Sequence, residues 1–183
     1  LKGDIKTVLD ADIKIIRGGK PKGSSIYANV NAAAFAYKKE AFKIETIDNT
    51  VRILGSDAHG IAYALLEISR MLGVSPWEWW ADSKPRPLER FSLNDNYKTK
   101  QAPSVEFRGI FINDEDWGLM PWASKTYEPT DVKGQIGPNT NARIFELLLR
   151  LRANTYWPAM HECSRPFFLT KGNREVALRY GIY

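Results

Sequence analysis

The chain is poor in the residues that build cross-links and metal cages. Among 183 residues it has one cysteine, Cys163, and two histidines, His59 and His161. One cysteine excludes an internal disulfide and fits either redox compartment. One Cys with two His leaves too few soft ligands for a tetrahedral structural zinc site. No uninterrupted apolar run approaches the roughly 18 residues a membrane helix needs; the leucine-rich stretch IFELLLRL is broken by Glu146 and Arg150. No charged, apolar and small-residue leader opens the sequence, so a secretion signal is either absent or outside it. The net charge is +5, but its basic residues are scattered as Lys20 and Lys22, Lys38 and Lys39, Arg150 and Arg152. Without a basic stripe interleaved with aromatics, nucleic-acid binding is not expected.

What remains is an ordinary globular composition, 44% hydrophobic and 26% charged. Residues 41–55, AFKIETIDNTVRILG, read as a hairpin. Phe42, Ile44 and Ile47 stand on one arm, Val51, Ile53 and Leu54 on the other, with Asp48-Asn49 as the turn. The next stretch predicts a helix capped by Ser56 or Asp57 and closed by Gly73. Its apolar stripe is Ile61, Leu65, Ile68 and Leu72. Gly60, in the first turn, weakens the helix slightly but permits close packing on the hairpin. His59 caps or packs near the helix start. A connection rich in Trp and Pro (Trp77, Trp79, Trp80, Pro85, Pro87) lacks glycine and reads as packed rather than flexible. Before the hairpin, GDIKTVLDADIKIIRGG suggests a helix or strand fragment and NVNAAAFAYKKEAF a short helix.

The second region has another rhythm. Phe107 to Ile112 is a short apolar strand, and Gly137-Pro138 introduces a helix whose face is Ile144, Leu147, Leu148 and Leu151. Asn154 to Met160 reads as a second strand. Asn173 then caps NREVALRY, Gly181 ends it, and a third strand would begin at Gly181-Ile182-Tyr183. Strand, helix, strand, helix, strand is the pattern of a parallel sheet. Two such units take about 80 residues, so eight would take roughly 320, within the range of a (β/α)₈ barrel. The expectation is an α/β chain. A small N-terminal α+β domain, hairpin plus helix, fills residues 1–95 with its connection. The first two βα units of a TIM barrel, incomplete within this chain, fill residues 104–183.

In such folds chemistry collects where strands end. Asn113, Asp114, Glu115, Asp116 and Trp117 follow the first strand; Trp157 to Glu162, including His161, follow the second. Neighbouring strands lie about 4.8 Å apart, so both clusters can line one mouth. Together they offer carboxylates, an amide, an imidazole and indoles, the groups a sugar-cleaving site needs. Plainer readings stand beside this one. Acidic triplets are often solvated turns or caps, and one or two of these acids can simply bond backbone amides or Arg108. A calcium loop lacks its D-x-D-x-D-G spacing. His161-Glu162 is no zinc motif, because position 165 is Arg165. Cys163 beside His161 is read as a structural cysteine whose side chain points away from the imidazole. Trp157 can be sugar platform or core, since period 2 does not say which strand face it takes.

FRGIFINDEDWG, ARIFELLLRLRANTYWPAMHE and PFFLTKGNREVALRYGI closely resemble glycoside hydrolase family 115, the xylan α-1,2-glucuronidases. GSDAHGIAYALLEISRMLGVSPWEWWAD is similar to that family's N-terminal domain, so the resemblance runs from about residue 41 onward. It implies release of glucuronic acid or its 4-O-methyl ether from glucuronoxylan or its oligosaccharides, by inversion, without metal or organic cofactor. It implies a secreted or periplasmic enzyme, no nucleic-acid or membrane partner, and leaves a homodimer open. Inversion needs carboxyls ~6.5–9.5 Å apart, too far for neighbours in one loop. Asp114 or a neighbour is then one catalytic carboxylate, and Glu162 is the candidate partner within this chain. Later strands supply most of the rest. Asn113, Glu115, Asp116, Trp157 and His161 would bind sugar; the uronate-binding cation is expected from outside this chain, with Arg165 the candidate within it and Arg108 at the wrong end of its strand. The layout also resembles the family 20 β-N-acetylhexosaminidases, but those carry Arg three residues after the Asp, where this chain has Trp117. A non-catalytic carbohydrate-binding fragment is the remaining alternative.

Overall fold

The computed structural model describes residues 1–20, 23–114 and 116–183. These form two compact units, Leu1–Glu106 and Phe107–Tyr183. The architecture is α/β, with one mixed sheet and one parallel sheet. Among the described residues no helix is long and apolar enough to cross a membrane.

In the first unit, helix α1 (Lys2–Leu9) buries Ile5 and Val8, and the carbonyl of Val8 accepts the Leu88 amide at 2.8 Å. That bond draws the Pro-rich connection back onto the unit's start. Strand β1 (Ser25–Val30) follows. The short helix expected around residue 32 is a single 3₁₀ turn, Ala32–Phe35, because Ala36 turns left-handed and ends it. The hairpin forms as expected from β2 (Phe42–Ile47) and β3 (Thr50–Gly55). Asp48 and Asn49 hold φ of 49° and 57°, the positive pair that a two-residue type I′ turn requires. On β2 the inward phase is Phe42, Ile44 and Thr46, so Ile47 is only half-buried. β1 adds to β3 in parallel, and β4 (Lys98–Gln101) adds to β2 antiparallel, giving the order β1-β3-β2-β4.

Helix α2 (Ala58–Met71) packs on this sheet. Asp57 caps it: Oδ1 accepts the Gly60 amide at 2.8 Å, while Oδ2 accepts the Glu40 amide at 2.6 Å. The buried stripe is Gly60, Tyr63, Ala64, Glu67 and Ile68, with Leu72 at the end. Ile61 and Leu65, expected inside, are half-buried. The helix is turned because Gly60 is its point of closest approach. A Cβ there would strike the Ala41 carbonyl and stand 3.3 Å from Gly55 Cα. His59 stacks on Tyr63 with ring centroids 5.7 Å apart, and its Nδ1 lies 3.3 Å from Glu40 Oε1. Buried Glu67 is held by the Arg70 guanidinium at 2.6 and 3.0 Å.

In the second unit, β5 (Gly109–Phe111) and β6 (Thr155–Trp157) pair in parallel, Gly109 beside Thr155 and Phe111 beside Trp157. Both strands are shorter than the sequence suggested. Between them run a short helix α3 (Leu119–Trp122), a π-helical turn Ala123–Tyr127, and the crossover helix α4 (Pro138–Arg150). Pro138 opens α4, and the Glu128 carboxylate accepts the free amides of Asn139 and Thr140 at 3.1 and 3.0 Å. The buried face is Ile144, Phe145, Leu147 and Leu148. Leu151, expected on that face, is 46% exposed because the helix has ended and the chain is turning toward β6.

Helix α5 (Asn173–Tyr180) follows and packs on α4. Asn173 does not cap it. Gly172, at φ 92°, holds the cap position, and the buried Asn173 amide instead donates to the Ile136 and Phe167 carbonyls at 3.0 and 3.3 Å. Gly181 ends the helix at φ 66°. The Tyr183 amide then donates to the Asn154 carbonyl, and the Tyr156 amide to the Tyr183 carbonyl, both at 2.8 Å. One residue bonding on either side of its neighbour is the parallel pattern, so Tyr183 lies alongside β6 in that manner.

Gly60→Ala separates two opposing effects. Helix propensity alone would raise stability by about 1 kcal/mol, whereas overpacking against a backbone carbonyl costs about 1–3 kcal/mol. We expect a net loss, read as a lower midpoint in thermal unfolding; a higher midpoint would show that the helix can lift off Ala41 freely.

Candidate functional site

Because β5 and β6 are parallel and in register, their two loops leave the same edge. The Ile112 amide still donates to the Trp157 carbonyl at 3.0 Å, so pairing persists to the point where both loops begin. Strand alternation then sorts the side chains. Tyr156 is buried and meets Phe145 of α4 edge-on, with centroids 5.5 Å apart. Trp157 therefore takes the opposite face, 58% exposed, with Phe111 at 5.3 Å. This answers the question of face that period 2 left open: Trp157 is not in the core between sheet and helices.

Asp114 and Asp116, two of the three strand-end acids, do not share an environment. Asp114 is only 7% exposed. Its Oδ2 accepts the backbone amide of Met120, in the first turn of α3. It thus supplies an acceptor to one of the amides that a helix start leaves unpaired. Asp116 is exposed and left-handed, at φ 63°, a conformation Asp tolerates better than most residues. Glu115 lies outside the described residues. Asn113 is exposed. Asn113, Asp114 and Trp117 line one open recess of about 430 Å³ beside Gly118 and Leu119. Trp117 itself is 89% exposed.

Among the described residues a side-chain bond joins the second loop to the first. Ser164 Oγ donates to the Asp114 carbonyl at 3.1 Å. On its other side the Arg165 amide donates to the Gly134 carbonyl at 2.8 Å, and its guanidinium donates to the Leu169 carbonyl at 3.0 Å. His161 and Glu162 are exposed on the turn between, and neither lines the recess of Asp114. The sequence reading set His161 and Cys163 apart. The structure corrects it: the chain turns at 161–164, with the Ser164 amide on the His161 carbonyl at 2.9 Å, and brings Nδ1 to 3.1 Å from Sγ. Cys163 is half-buried. Trp157 Nε1 donates to Met160 Sδ at 3.1 Å, which steadies the exposed indole. Arg108 turns to the Arg152 carbonyl at 2.9 Å. Among the described residues no group of three His, Cys, Asp or Glu side chains is gathered to hold a metal ion.

Tyr156 was not singled out from sequence. Its phenol is held well above its ordinary pKa, first by burial and second by the negative charge of Asp114. The carboxylate is therefore within electrostatic reach of a neutral, buried phenol. Ser164 was likewise missed, since a lone serine in a loop carries no signal. Trp117, named in the first strand-end cluster, lines the recess beside Asp114.

The chain matches the model of glycosyl hydrolase family 115 over residues 100–183, a span that contains both strand-end loops. A search of curated proteins finds no match. A solved structure described as a novel family GH115 4-O-methyl-α-glucuronidase with specificity for decorated arabinogalactans is 56% identical, with a TM-score of 0.91. The similarity covers 100% of this chain and 25% of that one, so the chain spans about a quarter of its relative's length. These matches favour family 115 over the family 20 layout. Both units, not the strand ends alone, thus align with a single relative, and the chain belongs to glycoside hydrolase family 115.

Proposed function

We propose that this chain is the part of an α-glucuronidase that carries the first carboxylate of the active site. In this reading the whole protein releases glucuronic acid or its 4-O-methyl ether from a decorated polysaccharide. The observation that supports it best is the pairing of one buried carboxylate, Asp114, with an exposed indole, Trp157, at one edge of a parallel sheet, in a chain 56% identical to a 4-O-methyl-α-glucuronidase. β5 and β6 are read as the first two strands of a (β/α)₈ barrel, supported by their parallel register, the α4 crossover and the pairing of Tyr183 on β6. Enzymes that cleave polysaccharides work where their substrate is, so the protein is assigned to the cell exterior or periplasm.

The proposed chemistry is inverting and needs neither metal nor organic cofactor. One carboxyl protonates the leaving oxygen, and another, ~6.5–9.5 Å away, activates water on the far side of the ring. Asp114 takes one role, and Glu162 is the partner this chain can offer. Asn113, Glu115, Asp116 and His161 would bond sugar hydroxyls, while Trp157 stacks on a ring. Glucuronoxylan is the substrate that the sequence resemblance favours. Decorated arabinogalactan is the second reading, favoured by the specificity ascribed to the relative.

Three measurements test this. The whole protein is incubated with methylglucuronoxylan and with glucuronyl-decorated arabinogalactan, and the products are followed by proton NMR. We expect a free uronic acid that appears first as its β-anomer; no uronic acid from either polymer would overturn the assignment, and a first-formed α-anomer would overturn inversion alone. Asp114→Asn keeps an oxygen for the Met120 amide, so its melting temperature should change little. Its turnover should fall by about 10²–10⁴, the usual share of a general acid or base. Near-normal turnover would leave Asp114 as a cap only. Trp157→Ala, at an exposed position, should raise KM several-fold and leave the melting temperature unchanged; the reverse pattern would make the indole structural.

A further inference from the structure

We propose that the first unit carries a carbohydrate site of its own, an open recess that takes the carboxylate of a uronic acid side group on a polysaccharide. The recess measures about 450 Å³ and is walled by the 3₁₀ turn (Ala33, Ala34, Phe35) and Ala36 that ends it, by Lys38 and Ala41, and by β4 at Lys100 and Gln101. It exists because the turn is built of alanine. Only Phe35 turns inward, 4% exposed, while its neighbours stop at a methyl group and leave backbone open to a ligand. The volume is at the low end of the ~300–1,000 Å³ typical of small-molecule sites.

Its charge is of one sign. No acidic side chain lines it, and its two charged residues are Lys38 and Lys100. Nearby lysines are neutralised: Lys39 by Glu106 at 3.1 Å and Lys43 by Glu45 at 2.7 Å. Among the described residues neither Lys38 nor Lys100 lies within ion-pair distance of a carboxylate. Lys100 is nonetheless held in place, its ammonium 5.2 Å from the centroid of the Phe35 ring. Lys100 is exposed, so an anion entering the recess can reach its ammonium and that of Lys38 without displacing a carboxylate of the described residues.

The loop around it is fixed rather than loose. Ala36, Tyr37 and Glu40 are left-handed, at φ 51°, 59° and 58°, a conformation that residues with a Cβ adopt only at a cost. They are held there by bonds: the Ala36 and Tyr37 amides close on Ala33 and Ala32 at 3.1 Å, and the Glu40 amide on Asp57 at 2.6 Å. One result is that Tyr37, between two lining residues, presents a ring 76% exposed. The Tyr37 ring is not part of the recess wall; exposed at the adjoining position of the chain, it offers a face to a sugar whose carboxylate the two lysines would hold. Free phosphate shares the anionic chemistry but has no use for the ring. The choice of a uronate rests on the function proposed above, in which uronyl-decorated polysaccharide is the substrate.

The test is native affinity electrophoresis of the whole protein through gels containing glucuronoxylan or the same polymer with its carboxyls reduced to alcohols. We expect retardation by the acidic polymer only, relieved by added salt. Lys38→Gln/Lys100→Gln should weaken it about tenfold in Kd, with unchanged turnover on a short uronyl oligosaccharide. Lys38→Gln alone, at an exposed loop position, should show a smaller loss in the same direction and guards against misfolding when Lys100 leaves Phe35. Equal retardation by the reduced polymer, no loss in the variants, or displacement by inorganic phosphate at lower concentration than by glucuronate would each overturn the proposal. If the whole protein releases no uronic acid yet its retardation depends on the lysines, the catalytic reading falls and this site stands; the opposite pattern removes this site alone.

Discussion

Asn154 is the residue on which the second unit's geometry depends. It is 1% exposed, and every polar atom described for it is used between strands. Its side-chain oxygen accepts the Arg108 amide at 3.0 Å and the Thr155 hydroxyl at 2.8 Å. Its own amide donates to the Arg108 carbonyl at 2.8 Å, and its carbonyl accepts the Tyr183 amide at 2.8 Å. One buried residue thus links the start of β5, β6 and the segment at Tyr183: its side chain reaches Arg108 and Thr155, and its backbone reaches Arg108 and Tyr183. Gly109 completes the constraint, since a Cβ there would collide with the Thr155 carbonyl. Register is what matters here, because a slip by one residue exchanges the faces of a strand. It would send Trp157 into the helix layer and Tyr156 out of it.

That sorting explains how packing and chemistry coexist within three residues of β6. Tyr156 belongs to an aromatic cluster with Phe145 and Phe167, at centroid distances of 5.5 and 6.1 Å. Such contacts stabilise by burial and ring geometry and hold the strand against α4. The next residue, Trp157, is thereby free of any packing duty on that side and pairs with Phe111 on the other. The loops inherit this precision through short, specific bonds: Ser164 to Asp114, Arg165 to Gly134, Trp157 to Met160.

Legibility from sequence followed the range of the forces involved. The hairpin was readable because Asp48-Asn49 and the alternating arms are local, and α4 because Gly137-Pro138 and its leucines are. The rotation of α2 was not readable. Ile61 and Leu65 lost their expected places to Gly60 and Tyr63 because of a contact with Ala41, distant in sequence but brought beside Ser56 by the pairing of β2 with β3. Asn173 looked like a cap by composition, but the carbonyls of Ile136 and Phe167 claim its side chain from elsewhere in the fold. β4 could not be read at all: KTKQ has no apolar alternation and is a strand only because β2 offers an open edge. At the site, the motif residues stood out, whereas Ser164 and the His161–Cys163 contact depend on a turn that no pattern announces.

Consecutive acids at the end of a strand would repel one another if they shared a surface. The structure avoids this by backbone conformation. Asp114 continues inward and gives its carboxylate to the Met120 amide, near the positive end of a helix turn. Asp116 adopts a left-handed φ and meets water, where repulsion is screened. A buried acid with one oxygen engaged keeps its other oxygen for a partner that enters the recess. The capping bond and the catalytic role proposed for Asp114 are therefore compatible: the bond that stabilises the loop also fixes the direction in which the remaining oxygen can act. An acid held only by solvent, as Asp116 is, would lack that direction, which is why the proposal places the chemistry on the buried Asp114.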